Sequence, residues 1–298
     1  MLWAVFTVIA AAAQTARNAT QRDLTARIGT IGATEVRFLF GFPFGLAFLA
    51  LALGVTGEAM PGFSLPYLVW TLAGGILQIL ATGLMLKAMT SRSFVVTTAY
   101  TKTEPVQVAL FGLIFLGDSL SPLLVLAILI ATGGVMLLGW PARRPGEAIS
   151  PMRDFGPAAT GILAGGCFAL SAIGYRGAIH ALADGSAWVR ASMTLAVALG
   201  LQTALILIYM LIRDRATLRA ILAAWRPSLT AGLLGAAASQ FWFLGFALTS
   251  AARVRTLALI EVLFAYAISG RMFNERPSGR EVAGMLLVVA GVALSLNA

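Results

Sequence analysis

The chain has 298 residues, of which 59% are hydrophobic and only 11% are charged, and its formal net charge is +9. Soluble domains carry about 25% charged residues, so this composition excludes an ordinary soluble domain and predicts a protein with many membrane-spanning segments. The positive balance then indicates arginines in short loops beside anionic lipid, and it does not indicate a nucleic-acid-binding protein.

Ten apolar blocks, each long enough for a membrane-spanning helix, follow one another along the chain. We predict helices at about 1–20, 31–53, 66–88, 93–116, 121–139, 157–179, 186–212, 227–249, 255–273 and 279–297. The connections contain helix-breaking sequences such as TGEAMPGFSLP and NERPSG. No P-loop, HExxH motif or metal-spaced Cys/His cluster is present, so we expect no cofactor, no metal and no ATP-driven pump.

The two halves of the sequence match each other as repeats. With Glu104 aligned on Glu261, an offset of 157 positions, GDSLS lies over NERPS and GGVMLLG over AGVALSL. GATEVRF also matches GSAWVRA, which places Arg37 on Arg190. A chance match between Gly- and Leu-rich helices is the alternative interpretation.

Five helices in each repeat make the second repeat enter the membrane upside down, because five is odd. Inverted repeats are the usual build of secondary transporters. The predicted fold is therefore an all-α polytopic membrane protein of ten transmembrane helices, arranged as two inverted five-helix repeats around a central cavity. The predicted segments are a first repeat at 1–140, a linker at 141–156 and a second repeat at 157–298.

The distribution of Lys and Arg predicts an orientation. Fifteen lie in the odd-numbered loops and three lie within predicted helices. The even-numbered loops hold the other three, Arg176, Arg253 and Arg255. By the positive-inside rule the odd-numbered loops are cytoplasmic, which puts both termini outside.

The stretch AYTKTEPVQVALFG places Lys102, Glu104 and Pro105 inside the fourth apolar block. Pro105 removes a backbone donor and clashes with the preceding turn, which predicts a helix break near mid-membrane. Transporters use such breaks to present backbone groups to substrate. Lys102 and Glu104 point about 200° apart on a regular helix, so each needs a separate partner, a cavity or a route to the interface.

Two interpretations of these charges stay open. Lys102 snorkels to the interface and Glu104 caps or pairs structurally, or the helix lines a polar cavity in which Glu261 is the counterpart of Glu104. Further candidates for substrate binding in such a cavity are Gln14, Gln78, Tyr100, Tyr175, Gln240 and Trp242. The alternatives for these are interhelical hydrogen bonds for the glutamines and lipid-facing or core packing for the aromatic residues.

The ends of the halves resemble a known family. FNERPSGREVAGMLLVVAGVAL and FLGDSLSPLLVLAILIATGGVML resemble the closing segment of the EamA repeat, and YRGAIHAL resembles the basic end of the first helix of that repeat. The chain is thus identified as a member of the drug/metabolite transporter superfamily over essentially its whole length, and it is most similar to amino-acid exporters of the YddG type. Asp118 departs from the glutamate usual in the first repeat.

The resemblance implies a secondary transporter in the bacterial cytoplasmic (inner) membrane that exports amino acids with aromatic or other neutral side chains. Its partners would be this small-molecule substrate and membrane lipids, without nucleic acid, and we expect a monomer. The resemblance also implies cytoplasmic termini, against the orientation that the arginines predict. Export of lipophilic drugs or another small metabolite is the alternative function, and an intramembrane enzyme acting on lipid is a remote one.

Overall fold

The computed structural model describes residues 1–91, 100–138, 151–264 and 278–298, and every regular element in these ranges is a helix. The helices are α1 Leu2–Leu39, α2 Phe42–Thr56, α3 Leu65–Ser91, α4 Glu104–Leu116, α5 Pro122–Leu138, α6 Pro151–Ala181, α7 Ala187–Arg213, α8 Arg215–Ala223, α9 Trp225–Leu248, α10 Ala251–Leu257 and α11 Gly279–Asn297. A 3-10 turn, Ala258–Ile260, follows α10. The predicted all-α class is confirmed for this part of the chain.

Six helical segments of the described chain are long and apolar enough to cross a membrane. They are Ile31–Thr56, Leu65–Met85, Ala159–Ala181, Ala187–Arg213, Trp225–Leu248 and Gly279–Asn297. The helices α4 and α5 are apolar but shorter. The described helices do not establish the predicted number of ten spans. The first predicted block lies in α1 but is not among the six candidate spans, and the fourth and ninth predicted blocks extend into residues outside the described ranges.

The first helix is two helical limbs that meet at Gly29, whose φ of 72° and ψ of 170° are not helical. Glycine adopts such positive φ values without steric cost. Gln21 Nε2 donates a hydrogen bond of 2.8 Å to the Ala33 carbonyl across the bend. Residues twelve apart in a continuous helix would be about 18 Å apart, so the two limbs fold back on each other.

The predicted second helix, 31–53, is interrupted between α1 and α2. A Cβ on Gly41 would lie 2.2 Å from the Arg37 carbonyl oxygen, so only glycine fits at this interruption. The predicted span 31–53 still falls within one apolar segment long enough to cross a membrane, Ile31–Thr56, and the turn inside it was not predicted because apolar residues continue through it.

The short amphipathic helix α8 lies where sequence analysis predicted a loop. Asp214 caps it by accepting a hydrogen bond from the Thr217 backbone N–H at 3.1 Å. Ile221 is fully buried, whereas Arg215 and Arg219 are exposed. This helix packs on α1.

The chain divides into two compact units that cut across the two sequence halves. Unit 1 comprises residues 1–76 and 174–249, and unit 2 comprises 77–173 and 250–298. In unit 1, α1 packs along α9 and α2 packs on α7. Its fully buried side chains include Tyr67 and Phe246.

In unit 2, α5 packs along α11 through small residues. A Cβ on Gly134 would lie 2.7 Å from the Gly284 carbonyl oxygen, and one on Gly291 would lie 2.7 Å from the Ala127 carbonyl oxygen. These two contacts are equivalent under the offset of 157 between the halves, since Gly134 corresponds to Gly291 and Ala127 to Gly284. Small residues let the backbones approach where no hydrophobic effect drives helices together in lipid.

Candidate functional site

In unit 2 a turn at Lys102 and Thr103 interrupts the regular helix, and α4 begins at Glu104. Pro105 lies in the first turn of α4, where its missing N–H costs no intrahelical hydrogen bond. The Thr103 hydroxyl and backbone N–H both donate to the Tyr100 carbonyl, at 2.8 Å and 3.2 Å. The break is therefore a tight turn just before Pro105.

Two adjacent glycines of α6 lie against this turn. A Cβ on Gly165 would lie 2.9 Å from the Thr101 carbonyl oxygen, and a Cβ on Gly166 would lie 2.6 Å from Gln107 Oε1. Gln107 Nε2 donates to Thr103 Oγ1 at 3.0 Å and to the Ile162 carbonyl at 3.2 Å. Gln107 therefore joins α6 to the break, a role that sequence analysis did not assign to it.

The charges around the break form two ion pairs. Lys102 Nζ pairs with Glu261 Oε1, and Arg255 Nε lies 3.1 Å from Glu104 Oε1. The exposed fractions of these side chains are 17% for Lys102, 10% for Glu261, 15% for Arg255 and 11% for Glu104. Lys102 and Glu104 thus have separate partners, and both partners come from the second half of the sequence.

The two ion pairs are only partly symmetric. Glu104 and Glu261 correspond under the offset of 157, but Lys102 corresponds to Leu259 and Arg255 to Thr98. The carboxylates thus occur at equivalent positions of both halves, whereas neither cation has a charged counterpart in the other half. Such an arrangement holds two positive and two negative charges in an apolar unit, where an unpaired charge is costly.

Sequence analysis placed Arg253 and Arg255 in a loop, which the structure corrects. Both lie in α10, which the Ser250 hydroxyl caps by accepting from the Arg253 backbone N–H. Arg253 donates to the Ala298 carbonyl oxygen, and Arg176 Nε in α6 donates to the Thr249 carbonyl at 3.0 Å. The sequence did contain a signal that Arg255 lies in a helix. Arg255 belongs to AARVRTLALIEV, a mostly apolar stretch that a helix beginning at Ala251 includes without a break.

Four of the predicted cavity residues lie in unit 1, where they make hydrogen bonds between helices. Trp242 Nε1 donates to Gln14 Oε1 at 3.2 Å, joining α9 to α1. Gln240 Nε2 donates to Ser192 Oγ at 2.9 Å, joining α9 to α7. Gln240 is 5% exposed. This contact is a hydrogen bond between helices, which is the alternative that sequence analysis gave for the glutamines.

Tyr175 belongs to a neighbouring cluster in unit 1 that sequence analysis did not foresee. Gln202 Nε2 lies within hydrogen-bonding distance of the Tyr175 hydroxyl, at 3.1 Å, and of the Gly75 carbonyl, at 3.2 Å. The Tyr175 and Phe243 rings pack with centroids 4.6 Å apart and planes tilted by 39°. Sequence analysis did not select Gln202, although it is a polar residue in an apolar block as Gln14 and Gln240 are; what the sequence does not give is its partner.

The predicted site residues thus fall into two groups. Unit 1 holds Gln14, Tyr175, Gln240 and Trp242, whereas unit 2 holds Gln78, Tyr100, Lys102, Glu104 and Glu261. Within unit 2 the structure pairs Lys102 with Glu261, while Gln78 is half-buried in α3. Among the described residues no cluster of His, Cys, Asp and Glu could hold a metal ion.

Comparison with known proteins assigns the family. The sequence model of the EamA-like transporter family matches residues 1–140 and residues 158–297. The two matches cover nearly all of the chain, which therefore belongs to the EamA-like transporter family. Members of this family are membrane-embedded transporters and not enzymes, so the chain is an integral membrane protein that carries small molecules.

A solved structure, described only as the crystal structure of a protein, resembles this chain with a TM-score of 0.71. The resemblance covers 98% of this chain and 96% of that chain at 15% sequence identity, which shows a shared fold and nothing of the cargo. No curated protein matches the sequence.

Proposed function

We propose that the protein is a secondary transporter that exports amino acids with aromatic or other neutral side chains, by alternating access through a central cavity. The observation that carries this proposal is the pair of ion pairs, Lys102–Glu261 and Arg255–Glu104, beside a broken helix in a chain of a transporter family. Charged groups in an apolar helical unit mark substrate or ion pathways in membrane proteins. The segments 1–140 and 157–298, with the linker 141–156, are proposed as its two inverted repeats.

The two carboxylates fit the ammonium group of an amino acid. Glu104 and Glu261 are equivalent in the two halves, and each is held by a cation that an arriving ammonium can replace. A ligand that binds one conformation better than another shifts the equilibrium between them. Exchange of Lys102 or Arg255 for the ammonium would couple binding to the packing of α4 against α10.

Flux by the purified protein in liposomes tests this proposal. Vesicles are preloaded with radiolabelled amino acids and efflux is followed with and without a pH gradient. We expect saturable efflux of aromatic or other neutral amino acids, and a dependence on the gradient would indicate proton coupling. No flux of any amino acid from folded protein would contradict the cargo, and flux of lipophilic cations or another metabolite instead would favour the alternative export function.

Two further proposals concern the membrane in which the protein lies and its oligomeric state. We propose a monomer in the bacterial cytoplasmic membrane, with the odd-numbered loops in the cytoplasm.

A further inference from the structure

Unit 1 contains an arginine that the site described so far does not use. Arg17, in the limb of α1 before Gly29, is only 8% exposed. Its Nη2 donates to Asn18 Oδ1 at 2.8 Å, but its Nε is buried without a hydrogen-bond partner. Among the described residues no carboxylate pairs with Arg17. A buried guanidinium without a counter-charge is costly.

A second arginine lies beside it. A Cβ on Gly235 of α9 would lie 3.4 Å from Arg17 Cδ and 3.4 Å from Arg37 Cβ, so the stem of Arg17 and the base of the Arg37 side chain lie against the same glycine. The Arg37 guanidinium carbon lies 4.5 Å from the centre of the Phe38 ring. The two positive charges repel each other. Glu35 attracts Arg37, whereas no carboxylate of the described residues pairs with Arg17.

The seam between α1 and α9 continues from the arginines to an aromatic end. Gln14 is three residues before Arg17 and Trp242 is seven residues after Gly235, so each follows on the same helix face. The Trp242 indole donates to Gln14 at 3.2 Å, and the Phe6 and Phe241 rings lie with centroids 5.8 Å apart. One seam thus presents cations at one end and an indole with aromatic rings further along.

From this arrangement we infer that Arg17 and Arg37 form an oxyanion-binding site in unit 1, whose ligand is the carboxylate of an aromatic solute that the protein carries. Two guanidinium groups match the planar, bidentate geometry of a carboxylate. The ligand supplies to Arg17 the negative charge that no described carboxylate provides, and the ring of the solute lies toward Trp242. This inference rests on the proposed function, since it names the chemistry of the solute.

Binding to the purified full-length protein in neutral detergent tests the inference. The probes are 3-phenylpropionate and 3-phenylpropionamide, which have the same shape but differ in charge. We expect 3-phenylpropionate, and not the amide, to raise the thermal unfolding midpoint of the wild type. Arg17→Gln should weaken the apparent affinity for 3-phenylpropionate at least ten-fold. Arg219→Gln, which removes an exposed arginine of α8 in the same unit, should leave the affinity unchanged.

A second variant keeps the test decisive where Arg17→Gln fails to fold. Gly235→Val keeps both arginines and inserts methyl groups between their stems, so it should also weaken binding of 3-phenylpropionate. Equal affinity for 3-phenylpropionate in the wild type and in folded Arg17→Gln and Gly235→Val would overturn the inference. Stabilisation by phosphatidylglycerol alone, abolished by Arg17→Gln, would support an oxyanion site but overturn the solute as its source.

Failure of this inference and failure of the proposed function give different results. Amino-acid efflux from liposomes with carboxylate binding unaffected by Arg17→Gln would retain the proposed function and overturn the site. Arg17-dependent binding of 3-phenylpropionate without efflux of any amino acid would retain the site and contradict the amino-acid cargo.

Discussion

At the scale of single residues, the charges beside the helix break are held by one another. Glu104 and Arg255 lie 3.1 Å apart with 11% and 15% of their side chains exposed, and Lys102 with Glu261 is similarly enclosed. Removing one member of a buried pair leaves an uncompensated charge, which costs about 3–5 kcal/mol, whereas an exposed pair is worth at most about 1 kcal/mol.

Exchange of the charges tests whether these pairs stabilise unit 2. We expect Arg255→Glu and Glu104→Arg each to lower the thermal unfolding midpoint of the purified protein, because each places two like charges together. The double exchange should recover part of the loss, since it restores an ion pair in the reverse sense. A double variant no better than the worse single variant would show that the pair contributes nothing beyond its separate residues.

Glu104 is also the residue at which proton coupling is tested. We expect Glu104→Gln to flatten the pH dependence of efflux if the carboxylate carries the proton, because the amide cannot be protonated in this range. Initial efflux rates between pH 5 and 8 in matched liposomes measure this. An unchanged pH profile, with normal protein levels, would exclude the role, and Glu261→Gln gives the comparison at the equivalent position.

At the scale of elements, close contact between helices is decided by individual glycines. In α5, Gly133 and Gly134 are neighbours in sequence but differ in surroundings. A Cβ on Gly133 has no atom within 4 Å, whereas one on Gly134 would lie 2.7 Å from the Gly284 carbonyl oxygen and 2.8 Å from the Val288 nitrogen. Backbone atoms cannot move aside as a flexible side chain can.

These neighbours make a matched pair of substitutions. We expect Gly134→Ala to lower the thermal stability of the protein clearly, because α11 must move away from α5. Gly133→Ala should be neutral or stabilising by up to about 1 kcal/mol, since alanine favours helix over glycine. Thermal unfolding of both variants in detergent measures the difference, and equal effects would show that the α5–α11 contact is looser than described.

At the scale of the whole molecule, two expectations differ on which side of the membrane the two termini lie. The Lys and Arg distribution predicts both termini outside, whereas resemblance to the family implies cytoplasmic termini. Arg253 and Arg255 lie in α10, but arginines counted in the odd-numbered loops, such as Arg17 and Arg213, lie in helices too. The described helices therefore leave the prediction of external termini resting on the sequence alone.

Labelling from one side of the membrane tests the orientation. Cys167 is the only cysteine, so Cys167→Ser gives a background for single cysteines at Ala298 and at Arg219. We expect a membrane-impermeant maleimide to label the cysteine at residue 298 in intact cells, and to label the one at residue 219 only after the cells are opened. The reverse pattern would place the termini in the cytoplasm and contradict the charge rule for this protein.

Much of the architecture follows from sequence because lipid imposes strict demands. Long apolar blocks must form helices to satisfy their backbone groups, so the all-helical class and most helix positions were predictable. The correspondence of Gly134 with Gly291 was visible in the sequence as well, and both glycines make equivalent close contacts. The interruption at Gly41 and the helix α8 were missed, since hydropathy does not distinguish them from a continuous span or a loop.

The sequence by itself determined that Lys102, Glu104 and Glu261 are charges in an apolar setting, and that Lys102 and Glu104 do not pair with each other on a regular helix. Only the tertiary structure decided their partners, pairing Lys102 with Glu261 and Arg255 with Glu104, and only it left Arg17 buried beside Arg37. The reason is physical: composition and periodicity record the solvent that each segment meets, whereas a charge pair depends on which distant helix the fold brings within a few ångströms.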